Sequence, residues 1–88
     1  MQQPDFEAML AEEQFGEVMT VERKANASVD THTHPFDAKA LVLEGELSIG
    51  WEGREQLYRA GDIFHLAAHT PHTERYGPEG VKYVVGRK

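Results

Sequence analysis

All five histidines of the chain fall between positions 32 and 72, in two short clusters and one isolated site. His32 and His34 stand two residues apart in DTHTHPFD, and in an extended strand that spacing sends both imidazoles to one face, roughly 7 Å apart along the backbone. Two neutral rings placed this way can meet one cation. A second cluster, His69 to His72 in AAHTPHTE, again follows a strand-like run. Metal-assisted chemistry is therefore the first candidate. Other catalytic signatures are missing: Ser28 and Ser48 have no GxSxG context, and no glycine-rich loop precedes a helix, which argues against serine hydrolysis and phosphoryl transfer.

The composition bounds what can surround these residues. A chain of 88 residues is one domain, and a domain this short buries only about 60–65% of its unfolded surface. With no cysteine, a disulfide cannot reinforce it, which leaves a metal or a partner subunit. The formal charge of −6 disfavours a polyanionic partner, so a small molecule or another protein is expected rather than nucleic acid. The longest apolar run, Ala40 to Leu43, is far too short for a membrane span, and the N-terminus has no basic cluster of the secretory kind. A cytoplasmic protein, a homodimer by preference, is the expectation.

The elements follow from periodicity. Residues 5–14 are expected to form a short helix, with Asp5 as N-cap, Phe6, Met9 and Leu10 as its apolar stripe and Gly16 ending it. From Glu17 the pattern alternates. EVMTVER reads as a strand, NAS (26–28) as a turn, and KALVLEG as a strand with Ala38, Ala40 and Val42 on one face and Lys39, Leu41 and Leu43 on the other. Aliphatics on both faces imply cover on both sides, one of them open to a partner. ELSIGWE and EQLYR form a hairpin around Gly53, a tight turn at 60–62 leads to IFHL, and Pro71 holds Thr70 extended so that His72 opens HTERY. On that strand His72, Glu74 and Tyr76 share a face. Gly77 to Gly80 read as a loop before VKYVVGR, with Val81, Tyr83 and Val85 aligned. Seven or eight short strands with one leading helix predict an all-β sandwich or barrel.

Two motifs in this order resemble the cupin superfamily, the small jelly-roll barrels (double-stranded β-helices) of the cupin_2, RmlC-like type. The first, G-x5-H-x-H-x3,4-E-x6-G, is matched by His32, His34 and Gly45; the second, G-x5-P-x-G-x2-H-x3-N, by Gly61 and His72, with Gly61-Asp62 and Thr70-Pro71-His72 agreeing locally. The resemblance covers residues 17–86 and implies a single cupin domain at 17–88 behind a helical extension at 1–16. Departures are specific. Ala38 stands where the metal-binding Glu is placed, Ala67 and His69 replace the Pro and Gly of the second motif, Tyr76 its Asn, and Asn26 the opening Gly of the first.

What the resemblance implies is a metal held by His32, His34 and His72 without the usual carboxylate. Three imidazoles suit Fe²⁺, Zn²⁺, Mn²⁺, Ni²⁺ or Cu²⁺, at about 2.0–2.2 Å, with positions open for water or substrate. A neutral triad leaves the dipositive charge to hydroxide, an anionic substrate or a nearby acid, and makes the ion a stronger Lewis acid. Glu74 is the first such acid, on the face of His72; Asp37 has the opposite parity, and His69 becomes a fourth ligand if the turn at Pro71 folds it inward. Tyr76 and Glu74 are the candidate proton-moving residues. His65 is expected to be structural or on the surface, and Trp51, Tyr58, Phe64 and Tyr83 to serve the core or an interface. The bland alternative keeps the histidines as hydrogen-bonded pocket residues with no metal. Function divides the same way: a metal-dependent oxygenase, isomerase or lyase acting on a small organic ligand, or a non-catalytic binding or sensing module acting in trans. A barrel plugged by its own aromatics is a third possibility.

Overall fold

A computed structural model describes all residues 1–88. One helix, α1 (Gln3–Glu12), precedes six strands: β1 (Gly16–Arg23), β2 (Ser28–His32), β3 (Ala38–Trp51), β4 (Arg54–Arg59), β5 (Ile63–Leu66) and β6 (His72–Arg87). Two of the strands are long, and each serves twice. The first half of β3 pairs with β5 and with the C-terminal half of β6, which also carries β1. Its second half pairs with β4 and with the N-terminal half of β6, which also carries β2. Counting each long strand twice gives the eight segments of a jelly roll, four per layer, all antiparallel.

The two layers hinge where β3 and β6 cross. Gly45 and Gly80 both have positive φ, at 71° and 73°, and a Cβ on Gly45 would lie 2.1 Å from the Gly80 carbonyl oxygen. Only glycine permits that approach. The expected loop at 77–80 corresponds to this crossing: the strand continues through it, but between Tyr76 and Val81 only Glu46 of β3 stands opposite.

Between the layers lies the main core, to which Ala38, Ala40, Val42, Leu47, Ile49, Val81, Tyr83 and Val85 contribute in the alternation the sequence predicts. Phe64 and Tyr83 are buried in it, edge to face at 5.4 Å, and Trp51 and Tyr58 pack against it half-buried. The other face of β3 has an intramolecular cover. Leu41 and Val84 join Phe6, Leu10 and Phe15 in a second core beneath α1.

The helix ends differ from expectation. Gln2 is the N-cap and makes no side-chain cap bond, while Pro4 and Asp5 lie inside the first turn, where a missing N–H is harmless and a negative charge is favourable. Gln14, not Gly16, takes the left-handed position at φ 64°. Phe15 N–H donates to Leu10 O at 2.8 Å and Gln14 N–H to Ala11 O at 3.1 Å, a Schellman closure that presses Phe15 onto Leu10. Lys39 Nζ then pairs with Glu13 Oε1 at 2.7 Å and fastens the helix end to β3. Truncating fully buried Leu10 to alanine is expected to cost about 3 kcal/mol. The urea midpoint measures it, and a wild-type midpoint would mean that the helix contributes nothing to the fold.

Candidate functional site

The cluster sits at one end of the interlayer space, where β2 finishes and β6 begins. Register alone would not deliver His32 there. Val29 faces Glu74 across the β2–β6 ladder, so strict alternation would turn residue 32 outward; a bulge between Val29 and His32 inserts one residue, and His32 comes to lie opposite His72. His34 lies just past the strand end rather than within it. Its carbonyl accepts the His69 N–H at 2.7 Å, and Asp37 Oδ1 accepts the Ala68 N–H at 2.7 Å, so two loops clasp each other behind the ring.

Three rings and one carboxylate converge. Centroid separations are 4.9 Å for His32–His34, 4.2 Å for His32–His72 and 5.0 Å for His34–His72. Donor atoms of His32, His34, His72 and Glu74 all lie within 4.8 Å of one another. His69 and Asp37 are outside this group. The His69 side chain is exposed on a residue with φ 64°, and Asp37 is spent on the loop clasp, so each positions backbone instead of offering a ligand. His65 is exposed, edge-on to Phe15 at 6.0 Å.

Hydrogen bonds fix the ring tautomers. His32 Nδ1–H donates to Asp30 O and His72 Nδ1–H to Thr70 O, each at 2.8 Å, so both Nε2 atoms are left to face Glu74 Oε2, at 3.2 and 3.5 Å. A backbone carbonyl on one ring nitrogen is the usual way of presenting the other as a lone pair. Two buried ring nitrogens, His34 Nδ1 and His72 Nε2, have no hydrogen-bond partner. An unpaired polar atom in this setting costs about 1–3 kcal/mol, and one cation shared by the cluster would satisfy both atoms while separating lone pairs that otherwise confront a carboxylate. The donor set fits a divalent transition ion.

The remaining groups carry protons and charge. Tyr76 O–H donates to Glu74 Oε1 at 3.1 Å, and burial, with the adjacent Glu74 carboxylate, pushes its phenol up to about 12. Burial, then the neighbouring His72 and His32 rings, hold His34 below the ordinary value of 6.5. In the metal-free protein the folded state therefore takes up the His34 proton less readily than the unfolded chain does. Stability contributed by neutral His34 is complete above about pH 6.5 and is lost as pH falls through that range toward the folded value. Melting temperature against pH in the presence of chelator is expected to drop below pH 6.5, and to drop less steeply in His34→Gln.

A cavity of about 240 Å³ opens from the cluster, nine of its fourteen lining residues hydrophobic. Ala38, at the position expected to have lost its carboxylate, lines it, as Glu74 does. Two of its lining residues, Arg23 and Arg87, escape the sequence reading above, although parity could have found them: Arg87 continues the inward series Val81, Tyr83, Val85, and Arg23 follows Val21 on β1.

With this geometry in place, comparison with known proteins is informative. The family described as Cupin domain, Cupin_2, matches residues 18–85. The chain belongs to the cupin family. No curated protein matches the sequence. Among solved structures, this cupin is similar to a protein of unknown function from Rhizobium leguminosarum bv. viciae 3841, with 24% identity and a TM-score of 0.75 over 80% of this chain and 66% of that one. It is also similar to KdgF from Halomonas sp. (22% identity, TM-score 0.67, 80% and 66% covered). An RmlC-like cupin from Shewanella frigidimarina NCIMB 400 matches at 25% identity and a TM-score of 0.66, with 81% and 66% covered. The chain spans just under two thirds of the length of each, and the likenesses establish the jelly-roll fold.

Proposed function

We propose that this cupin holds a divalent transition metal, drawn from Fe²⁺, Zn²⁺, Mn²⁺ and Ni²⁺, through His32, His34 and His72, with Glu74 as the anionic member of the set, and takes a small organic ligand in the adjoining cavity. The observation that carries this reading is the pair of orphaned buried nitrogens, His34 Nδ1 and His72 Nε2, inside a cluster whose other Nδ1 atoms are tied to carbonyls. Bound there, such an ion would supply Lewis-acid polarisation of a carbonyl or enol, or oxygen chemistry if it is iron.

The chain's own residues would then manage protons. Tyr76 stays protonated at neutral pH and, through its bond to Glu74, can hand on or receive a proton at Glu74 Oε1. Phe64, Tyr83 and Val85 give the adjoining cavity an apolar wall. Oxygenase, isomerase and lyase are the reaction classes that the cupin resemblance implies. The homodimer expected from so short a chain draws support from β1, an edge strand that exposes Val18 and Met19.

A specific feature favours a second reading, the metal-free binding or sensing module. Both Glu74 oxygens already have protein partners, Tyr76 on Oε1 and His32 on Oε2, so a protonated His32 could close the network unaided. Titrating chelated protein with Zn²⁺, Mn²⁺ and Fe²⁺, with oxygen uptake and product formation followed over a substrate panel, separates the two. One ion per chain with turnover supports the enzyme, one ion without turnover a metal-dependent sensor, and no ion the metal-free module.

A further inference from the structure

We propose that the cavity ligand is a small carboxylate, its anionic end gripped by Arg87 with Arg23 at the mouth and its other end facing the histidine cluster. The inference deepens the function proposed above by naming the ligand class, but the guanidinium grip itself needs no metal.

Four observations converge on it. Arg87 is half-buried, with its guanidinium carbon 4.5 Å from the centroid of the Phe36 ring, a cation–π contact that consumes none of its N–H donors. Neither Arg87 nor Arg23 has a carboxylate partner; Arg23 donates to the carbonyl of its neighbour Glu22, at 3.1 Å, and its side chain also lies within reach of the Tyr76 hydroxyl. On the outer surface Arg59 and Arg75 do pair with acids, Glu46 and Glu55. The one acid lining the cavity, Glu74, is engaged by His32 and Tyr76 and does not neutralise the arginines. A chain of net charge −6 thus keeps half-buried Arg87 and exposed Arg23 without carboxylate partners on the lining of a cavity that is hydrophobic at nine of fourteen residues, which favours anions there. Finally, about 240 Å³ falls below the range of drug-sized pockets, and the apolar lining suits a short hydrocarbon body better than a fully hydrated inorganic ion.

Arginine binds carboxylate through two parallel N–H···O bonds, and losing charge-assisted bonds of this kind weakens binding by about tenfold or more. The test is calorimetric titration of the full chain, chelated and zinc-loaded, with butyrate, succinate and glutarate, with the corresponding amides, and with inorganic phosphate. At least one carboxylate is expected to bind where its amide does not. Arg87→Gln should weaken it about tenfold or more, Arg87→Lys should recover part of the loss, and Arg23→Gln should have a smaller effect. Zinc stoichiometry of Arg87→Gln should equal that of wild type, and a cooperative thermal melt of the chelated variant shows that it is folded. Equal binding of acids and amides, no binding by any carboxylate, tighter binding of phosphate, or wild-type affinity in Arg87→Gln would each overturn the proposal. Carboxylate binding in a protein that takes up no zinc would leave the arginine grip standing and remove the metal reading alone.

Discussion

His34→Ala is expected to abolish the metal-dependent rise in melting temperature. An ion that binds only the folded state adds RT ln(1 + [L]/Kd), about 2.7 kcal/mol at a hundredfold excess over Kd. For a domain of this size that corresponds to a rise of roughly 10–20 °C. The wild-type chain should show such a rise with Zn²⁺ or Mn²⁺ and lose it to chelator; His34→Ala should melt at one temperature in both conditions and retain little metal by elemental analysis. His69→Ala is the matched control. Its side chain is exposed, and only its backbone N–H holds the loop at His34, so the metal response should survive. If chelation leaves the wild-type melting temperature unchanged, the cluster is a hydrogen-bonded pocket without a cation.

The layered β architecture was legible because alternation survives along both long strands. Ala38, Ala40 and Val42 face inward and Leu41 outward, as their parity requires. What alternation could not show is continuity. Gly45 and Gly80 read as breaks between strands, whereas they are the points at which β3 and β6 pass from one layer to the other without ending. The outward aliphatics of β3 were ambiguous for a similar reason: period-2 patterning reveals that a face is covered, not what covers it. Here the cover is the chain's own α1, whose closure relies on left-handed Gln14, a residue with no turn signature to compare with the nearby Gly16.

Site legibility divides along the same line. His72, Glu74 and Tyr76 share an unbroken strand, and their common face follows from spacing alone. His32 reaches the cluster through the β2 bulge, which no local composition announces, and His34 through a loop held by bonds from residues more than thirty positions away. Motif order had already united these histidines by resemblance, and the bulge supplies the geometric reason. His69 and Asp37 show the opposite case. Each has a side chain that could ligate, yet long-range backbone bonds commit the first residue's N–H and the second residue's carboxylate to the loop clasp.

The second large effect is expected at Glu74, the proposed anionic ligand. Cupin resemblance places the anionic ligand at position 38, where this chain has alanine, while Glu74, two residues beyond His72, brings Oε2 to within 3.5 Å of two ring nitrogens. Glu74→Gln keeps the shape and a hydrogen-bond acceptor for Tyr76 but removes the cluster's only formal negative charge. Even partners outside the ligand shell are worth about 10–100-fold in metal affinity, so this change should cost about a hundredfold, read as Kd by competition with a chelator. Ala38 lines the same cavity, only 6% exposed. Adding Ala38→Glu to Glu74→Gln should therefore place a carboxylate back at the ion and recover at least about tenfold of the loss, whereas Glu46→Gln, outside the cluster, should change nothing. Full metal affinity in Glu74→Gln would show that the carboxylate serves Tyr76 and His32 alone. Loss without recovery in the double variant would place position 38 beyond reach of the ion and confine the anionic ligand to residue 74.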